Sequence, residues 1–166
     1  MKRTLLLFLL FVLTFNFSGN AQNFNYALDF DGNDSYVAAN SVSNALNGTA
    51  ALSMEVWIKP RNLSKKMFIL TFHETDTYNR RNIMLLGIDH TTGRLALNFN
   101  TGSGENDTYG TTAIPVNEWT HLAFTIADDN SVVAYINGQD ELTWSISSRP
   151  VLNGYFSIGQ DFDGSN

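Results

Sequence analysis

The sequence predicts an all-β domain built of two packed antiparallel sheets, and three observations predict it. Apolar and polar residues alternate in segment after segment, which marks half-buried strands. Turn clusters interrupt these segments roughly every 8–12 residues, the rhythm of a sandwich or barrel. No segment carries a sustained apolar stripe at the 3.6-residue helical period.

Taken in order, the clearest strand is 53–58, where Met54, Val56 and Ile58 oppose Ser53, Glu55 and Trp57. Leu95, Leu97 and Phe99 alternate with Arg94, Ala96 and Asn98. Leu122, Phe124 and Ile126 alternate with His121, Ala123 and Thr125. Phe156 and Ile158 alternate with Tyr155 and Ser157. Further strands are expected at 26–30, 35–39, 67–73, 82–88, 132–136 and 142–147, rich in the β-branched and aromatic residues a pleated surface favours. Between them stand Thr91-Thr92-Gly93, Asp128-Asp129-Asn130 and Asn137-Gly138. The Asn-Gly pair accepts positive φ at both central positions, as a tight hairpin requires. The polar run from Asn100 to Thr112 reads as an exposed loop.

The start of the chain reads as a signal peptide helix, residues 1–21. Lys2 and Arg3 precede the apolar run Leu5 to Leu13, and Gly19-Asn20-Ala21 offers small residues for a cut after Ala21. That run is too short to span a membrane, which takes about 20 residues. Export to the cell surface or beyond is the expectation, with no membrane span once the leader is removed. Residues 22–166 then form one domain, large enough to bury its own core. Loss of Lys2 and Arg3 takes the formal charge from −6 to −8, so a phosphate backbone is repelled and no nucleic-acid partner is expected. With no cysteine in the chain, thiolate metal sites and cysteine nucleophiles are excluded.

Four ordered segments carry a resemblance: ALDFDGNDSYV, LSMEVWIKP, EWTHLAFTIADDNSVVAYINGQ and YFSIGQDFDG. Over residues 26–164 the chain resembles the laminin G-like modules of the concanavalin A-like lectin and glucanase superfamily, in their bacterial secreted form. The resemblance implies a jelly roll with one curved sheet. It also implies a binding module, and many such modules hold a calcium ion. Modules of this kind continue past the IGQ-like strand into a Gly-x-Ile-Asp-Glu-Val strand that returns near the first. Here the sequence stops at Asn166, so the domain is expected to lack its closing strand.

The stretch YALDFDGNDSYV places Asp29, Asp31 and Asp34 within a few positions of each other. Two readings stand. Asp31, Asn33 and Asp34 can offer hard oxygens to calcium, which takes six to eight. Equally, Asp-Gly-Asn-Asp is a turn that caps its own backbone. The spacing does not match an EF-hand, and Asp161 and Asp163 are further acidic residues that could reach the same edge.

Hydrolysis is not expected. The superfamily's glucanases are known for paired carboxylates on one strand, and a retaining pair sits about 5 Å apart. Glu55 stands alone, and Asp140 and Glu141 are consecutive, so a strand would send them to opposite faces. His73, His90 and His121 cluster with no nucleophile at a recognisable spacing.

Sugar binding needs an aromatic face beside hydrogen-bonding groups. Tyr109, with Asn106 and Asp107 beside it, is the expected exposed platform, and Trp144 is a further candidate. Tyr78 and Tyr135 are weaker ones. Trp57 and His121 stand opposite the apolar stripes of their strands and so look outward, yet a packing role is the simpler reading for Trp57 and Trp119, because an indole buries a large area wherever it sits. The expected function is a non-catalytic module that recognises a glycan or an extracellular glycoprotein, with calcium as its candidate cofactor. The alternatives are a protein adhesion module without a sugar site and a diverged glycoside hydrolase.

Overall fold

The computed structural model describes residues 26–74, 83–101 and 107–160. The leader, Tyr78, Asn106, Asp161 and Asp163 lie outside the described residues. Ten strands and one helix follow in the order β1 (Val37–Ala38), α1 (Asn40–Leu46), β2 (Leu52–Ile58), β3 (Met67–His73), β4 (Ile83–Ile88), β5 (Arg94–Asn100), β6 (Asp107–Ala113), β7 (Thr120–Ile126), β8 (Ser131–Ile136), β9 (Gln139–Ser145) and β10 (Tyr155–Ile158). They form a six-stranded sheet, β1-β10-β3-β4-β5-β6, and a four-stranded sheet, β2-β7-β8-β9. Every pairing is antiparallel. This is the jelly-roll sandwich that the resemblance implies and with which the alternation agrees.

The core lies between the sheets, and the alternation says which side faces it. Leu95, Leu97 and Phe99 of β5 are buried, as are Leu122, Phe124 and Ile126 of β7 and Val132, Ala134 and Ile136 of β8. Phe99 meets Phe124 edge to face across the layer, with ring centroids 5.7 Å apart and planes at 85°. Phe72 of β3 and Phe156 of β10 pair within their own sheet at 4.5 Å. Each fully buried phenyl contributes about 1.5–3 kcal/mol of transfer free energy.

The expected hairpin forms. Asn137 and Gly138 take φ of 52° and 75°, and they join β8 to β9. Gly159 also needs its left-handed φ of 87°, and a Cβ there would press on the Phe30 ring.

Four expectations are corrected. Residues 26–30 are not a strand, because the described chain gives them no sheet partner and Asp29 instead pairs with Arg61. The expected strand 35–39 is reduced to Val37–Ala38. A seven-residue helix, α1, was not expected, since only Val42 and Leu46 pack on the core and two residues cannot display a period. The presumed loop at 100–112 contains β6 instead. Its threonines and Tyr109 favour strand, but no apolar stripe marked it, because β6 is the outermost strand of its sheet.

Candidate functional site: the outward face of β5 and β6

Strand register builds this site. Asn98 of β5 lies opposite Asp107 of β6, and Ala96 lies opposite Tyr109. The core residues Leu97 and Phe99 alternate with these positions, so Asn98, Ala96, Asp107 and Tyr109 all occupy the face turned away from the four-stranded sheet. Tyr109 is 46 % exposed. The Asn98 amide donates from Nδ2 to Asp107 Oδ1 at 2.5 Å, and the Tyr109 hydroxyl donates to Asp107 Oδ2 at 3.3 Å. The Asn98 side-chain oxygen Oδ1 is buried and makes no hydrogen bond. A carboxylate is thereby held in place beside an open aromatic ring.

The same row runs on across the sheet. Gly87 of β4 lies opposite Ala96, and Phe68 of β3 lies opposite Gly87. Two small residues therefore separate two aromatic ones. Gly87 is compelled by the main chain, since a Cβ would come within 2.4 Å of the Met67 carbonyl oxygen, next to the irregularity in β3. Lys66 places its Nζ 5.3 Å from the centre of the Phe68 ring. The parallel row carries Ser157, Thr71, Leu85 and Asn98, and Thr71 is fully buried with an unpartnered hydroxyl.

Glu141 supports the site from the other sheet. It reaches from β9 to the outer edge of β6, where Oε1 accepts the backbone N–H groups of Thr111 and Thr112 and the Thr111 hydroxyl. Burial pushes its carboxyl up, but the hydrogen bonds from Thr112 and Thr111 outweigh that and hold it below the ordinary range. An edge strand that would otherwise show bare donors is capped by a charge.

The sequence candidates fall in different places. Tyr109 and Asp107 come together. Trp144 turns the other way: it packs against the core and lies 5.8 Å from Phe99, so it is no part of this face. Trp57 and Trp119, read as packing residues, are 62 % and 52 % exposed. Asn98, Ala96, Gly87 and Phe68 were missed. The signal was available for Asn98, which sits opposite the apolar stripe of β5, but its partner strand β6 reads as a loop in the sequence.

The acidic turn has its own geometry. Asp31 Oδ1 accepts the N–H groups of Asn33 at 2.9 Å and Ser35 at 3.4 Å. The Asn33 amide chiefly, then the Ser35 side chain, holds the Asp31 carboxyl below its usual range. Lys65 Nζ lies 3.2 Å from the Gly32 carbonyl oxygen and 3.5 Å from Asn33 Oδ1. Asn33, Asp34, Ser35, Tyr36, Gly159 and Gln160 line a hollow of about 150 Å³, and Gln160 Oε1 is buried without a hydrogen-bond partner. Among the described residues no three His, Asp or Glu side chains converge on one point. The oxygens of Asp34 and Gln160 are of the kind calcium takes, whereas Asp31 serves its own turn and Asn33 meets a lysine.

The two antiparallel sheets packed face to face define an all-β domain of the jelly-roll sandwich class. The chain belongs to the laminin G family of the concanavalin A-like lectin/glucanases superfamily, whose profile matches residues 31–166. A search of curated proteins finds no match. Among solved structures, the CBM40 module of Ruminococcus gnavus IT-sialidase is similar with a TM-score of 0.61 and 12 % identity, over 74 % of this chain and 68 % of that one. The same module bound to α2,3-sialyllactose matches with a TM-score of 0.58 and 11 % identity, over 67 % of this chain. This chain spans 64 % of that one, less than two thirds of its length. Domains LG4-5 of the mouse laminin α1 chain match with a TM-score of 0.51 and 14 % identity, over 65 % of this chain and 28 % of theirs. At these identities the likeness is one of fold. Among the described residues no helix is long and apolar enough to cross a membrane.

Proposed function

We propose that the chain is a non-catalytic glycan-binding module, exported by its N-terminal leader, that recognises sugar on the outward face of β5 and β6. The observation that carries this reading is the Asp107 carboxylate, fixed by Asn98 and Tyr109 beside the half-exposed Tyr109 ring. A sugar ring lays its C–H face on an aromatic ring and offers its hydroxyls to a charged acceptor alongside. The R. gnavus module of the same fold, bound to α2,3-sialyllactose, supports the class of ligand. The non-catalytic reading is supported by how the strand carboxylates are used. Glu55 faces His121, Asp107 holds Asn98, and Glu141 caps β6, each at a different place.

Calcium assistance belongs to the same proposal, with Asp34 and Gln160 as its oxygens and the acidic turn of Asp31 and Asn33 beside them. A glycan array read with and without chelator tests both parts. Binding to a defined set of glycans is expected, weakened by chelator and restored by added calcium. Silence across the array overturns the glycan reading. Chelator-insensitive binding, with Asp34→Ala melting at the same temperature as the parent in calcium buffer, overturns the metal alone.

A further inference from the structure

The four-stranded sheet has an outward face of its own, which the β5–β6 site leaves unused. Register sets Trp57 of β2 opposite His121 of β7, and Glu55 opposite Ala123. Trp119 stands one residue before β7. Thr120 turns fully inward, so Trp119 shares the outward side with His121. The β2–β7 ladder ends at Ile58 opposite Thr120, and its register extended by one position sets Trp119 diagonal to Trp57, a separation that aromatic side chains bridge.

Trp57 is held rather than loose. Its indole lies on the His121 ring, 5.1 Å between centroids with planes at 43°, and His121 Nε2 lies 3.4 Å from Glu55 Oε2. His121 is itself anchored, its N–H donating to Asn137 Oδ1 at 2.9 Å. One side of the Trp57 indole is therefore supported, while the residue as a whole stays 62 % exposed. A tryptophan can bury 150–250 Å², so leaving two of the chain's three largely in water forgoes that gain on one face.

The surroundings say what would cover them. Ser53, Glu55 and Lys59 share the outward parity of Trp57, Glu118 directly precedes Trp119, and all four are exposed. The centre of a protein–protein interface is depleted of such charges. An aromatic platform fringed by a carboxylate and an imidazole suits a sugar ring, whose C–H face stacks and whose hydroxyls seek acceptors. Beside these indoles two glutamates outweigh one lysine, so an anionic sugar is disfavoured on this face.

We infer that Trp57 and Trp119, with Glu55 and His121, form a second saccharide site on the four-stranded sheet, one that takes a neutral sugar chain. It rests on the glycan-binding reading above and differs from it in place.

Native affinity gels containing neutral polysaccharides, and one containing polygalacturonate, test it on four proteins. These are the parent, Asp107→Ala, Trp57→Ala, and the double variant Trp57→Ala/Trp119→Ala. Retardation of the parent by a neutral polymer is expected, with about a tenfold loss of affinity per indole removed. That polymer should also shield tryptophan fluorescence from acrylamide quenching. The variants should melt with the parent, since the indoles lie outside the core. Equal retardation of the parent and the double variant overturns this site while the glycan reading stands. Preferential, indole-dependent binding to polygalacturonate overturns the neutral class. A concentration-dependent dimer that Trp57→Ala abolishes overturns the saccharide occupant in favour of a second copy. Retardation of no protein by any polymer brings down the glycan reading and this inference with it.

Discussion

Single carboxylates do much of the organising in this molecule, and Glu141 shows how. Asp31, Asp89 and Asp129 each bond within a turn, and each is held below its usual range, chiefly by the Asn33 backbone, the Thr92 side chain and the Ser131 side chain respectively. Glu141 differs because it joins two sheets. Its folded value is lowered, so its contribution is complete above the ordinary carboxylate range and fades as pH falls through the folded value. Glu141→Gln should therefore melt below the parent at pH 7, and the gap should close as pH drops below about 4. Melts followed by circular dichroism across that range would show it, and a gap independent of pH would contradict the assigned role. The sequence placed Asp140 and Glu141 side by side in one strand, but it did not show that the β8–β9 register shifts there, with Asp140 opposite Tyr135 and Leu142 opposite Ala134. It did not reveal where Glu141 goes, because a contact made thirty residues back along the chain leaves no local pattern. Asp107 was legible as a neighbour of Tyr109 and Asn98 as an outward residue of β5, but their pairing across the two strands was not.

Elements were legible where burial is one-sided. β2, β5 and β7 each show their inward residues by alternation, β8 is marked by its β-branched residues, and the Asn137-Gly138 hairpin by its residue types alone. β6 was hidden because an edge strand lacks a full apolar stripe, and α1 because seven residues are too few for a period. Residues 26–30 alternate like a strand, but Asp29 finds an ion pair with Arg61 in place of a strand partner. Close backbone approaches were also illegible. At Gly154, just before β10, a Cβ would lie 2.2 Å from the His73 carbonyl oxygen and 2.5 Å from that of Glu74. Both are main-chain atoms and cannot swing aside, so Gly154→Ala should destabilise by about 1–3 kcal/mol, read from urea melts. An unchanged midpoint would mean that β10 can shift away from β3 at no cost.

At the scale of the whole molecule, one sandwich presents two unlike outward faces. The six-stranded sheet offers Tyr109, Asp107 and Asn98; the four-stranded sheet offers Trp57 and Trp119. The core explains why both faces are free to vary: Phe72, Phe99, Phe124 and Phe156 hold the layers together from within, whatever stands outside. Fold and family followed from pattern and from ordered segments. The binding face did not, because it depends on which strands lie side by side. Calorimetric titration of the intact protein with a glycan that it retains on the array tests the central claim most directly, with Asp107→Ala measured alongside. A hydrogen bond to a charged group is worth about 1.5–3 kcal/mol. The account predicts saturable binding by the parent and a 10- to 100-fold weaker constant for Asp107→Ala at unchanged melting temperature. Identical titration curves for the two proteins would contradict it.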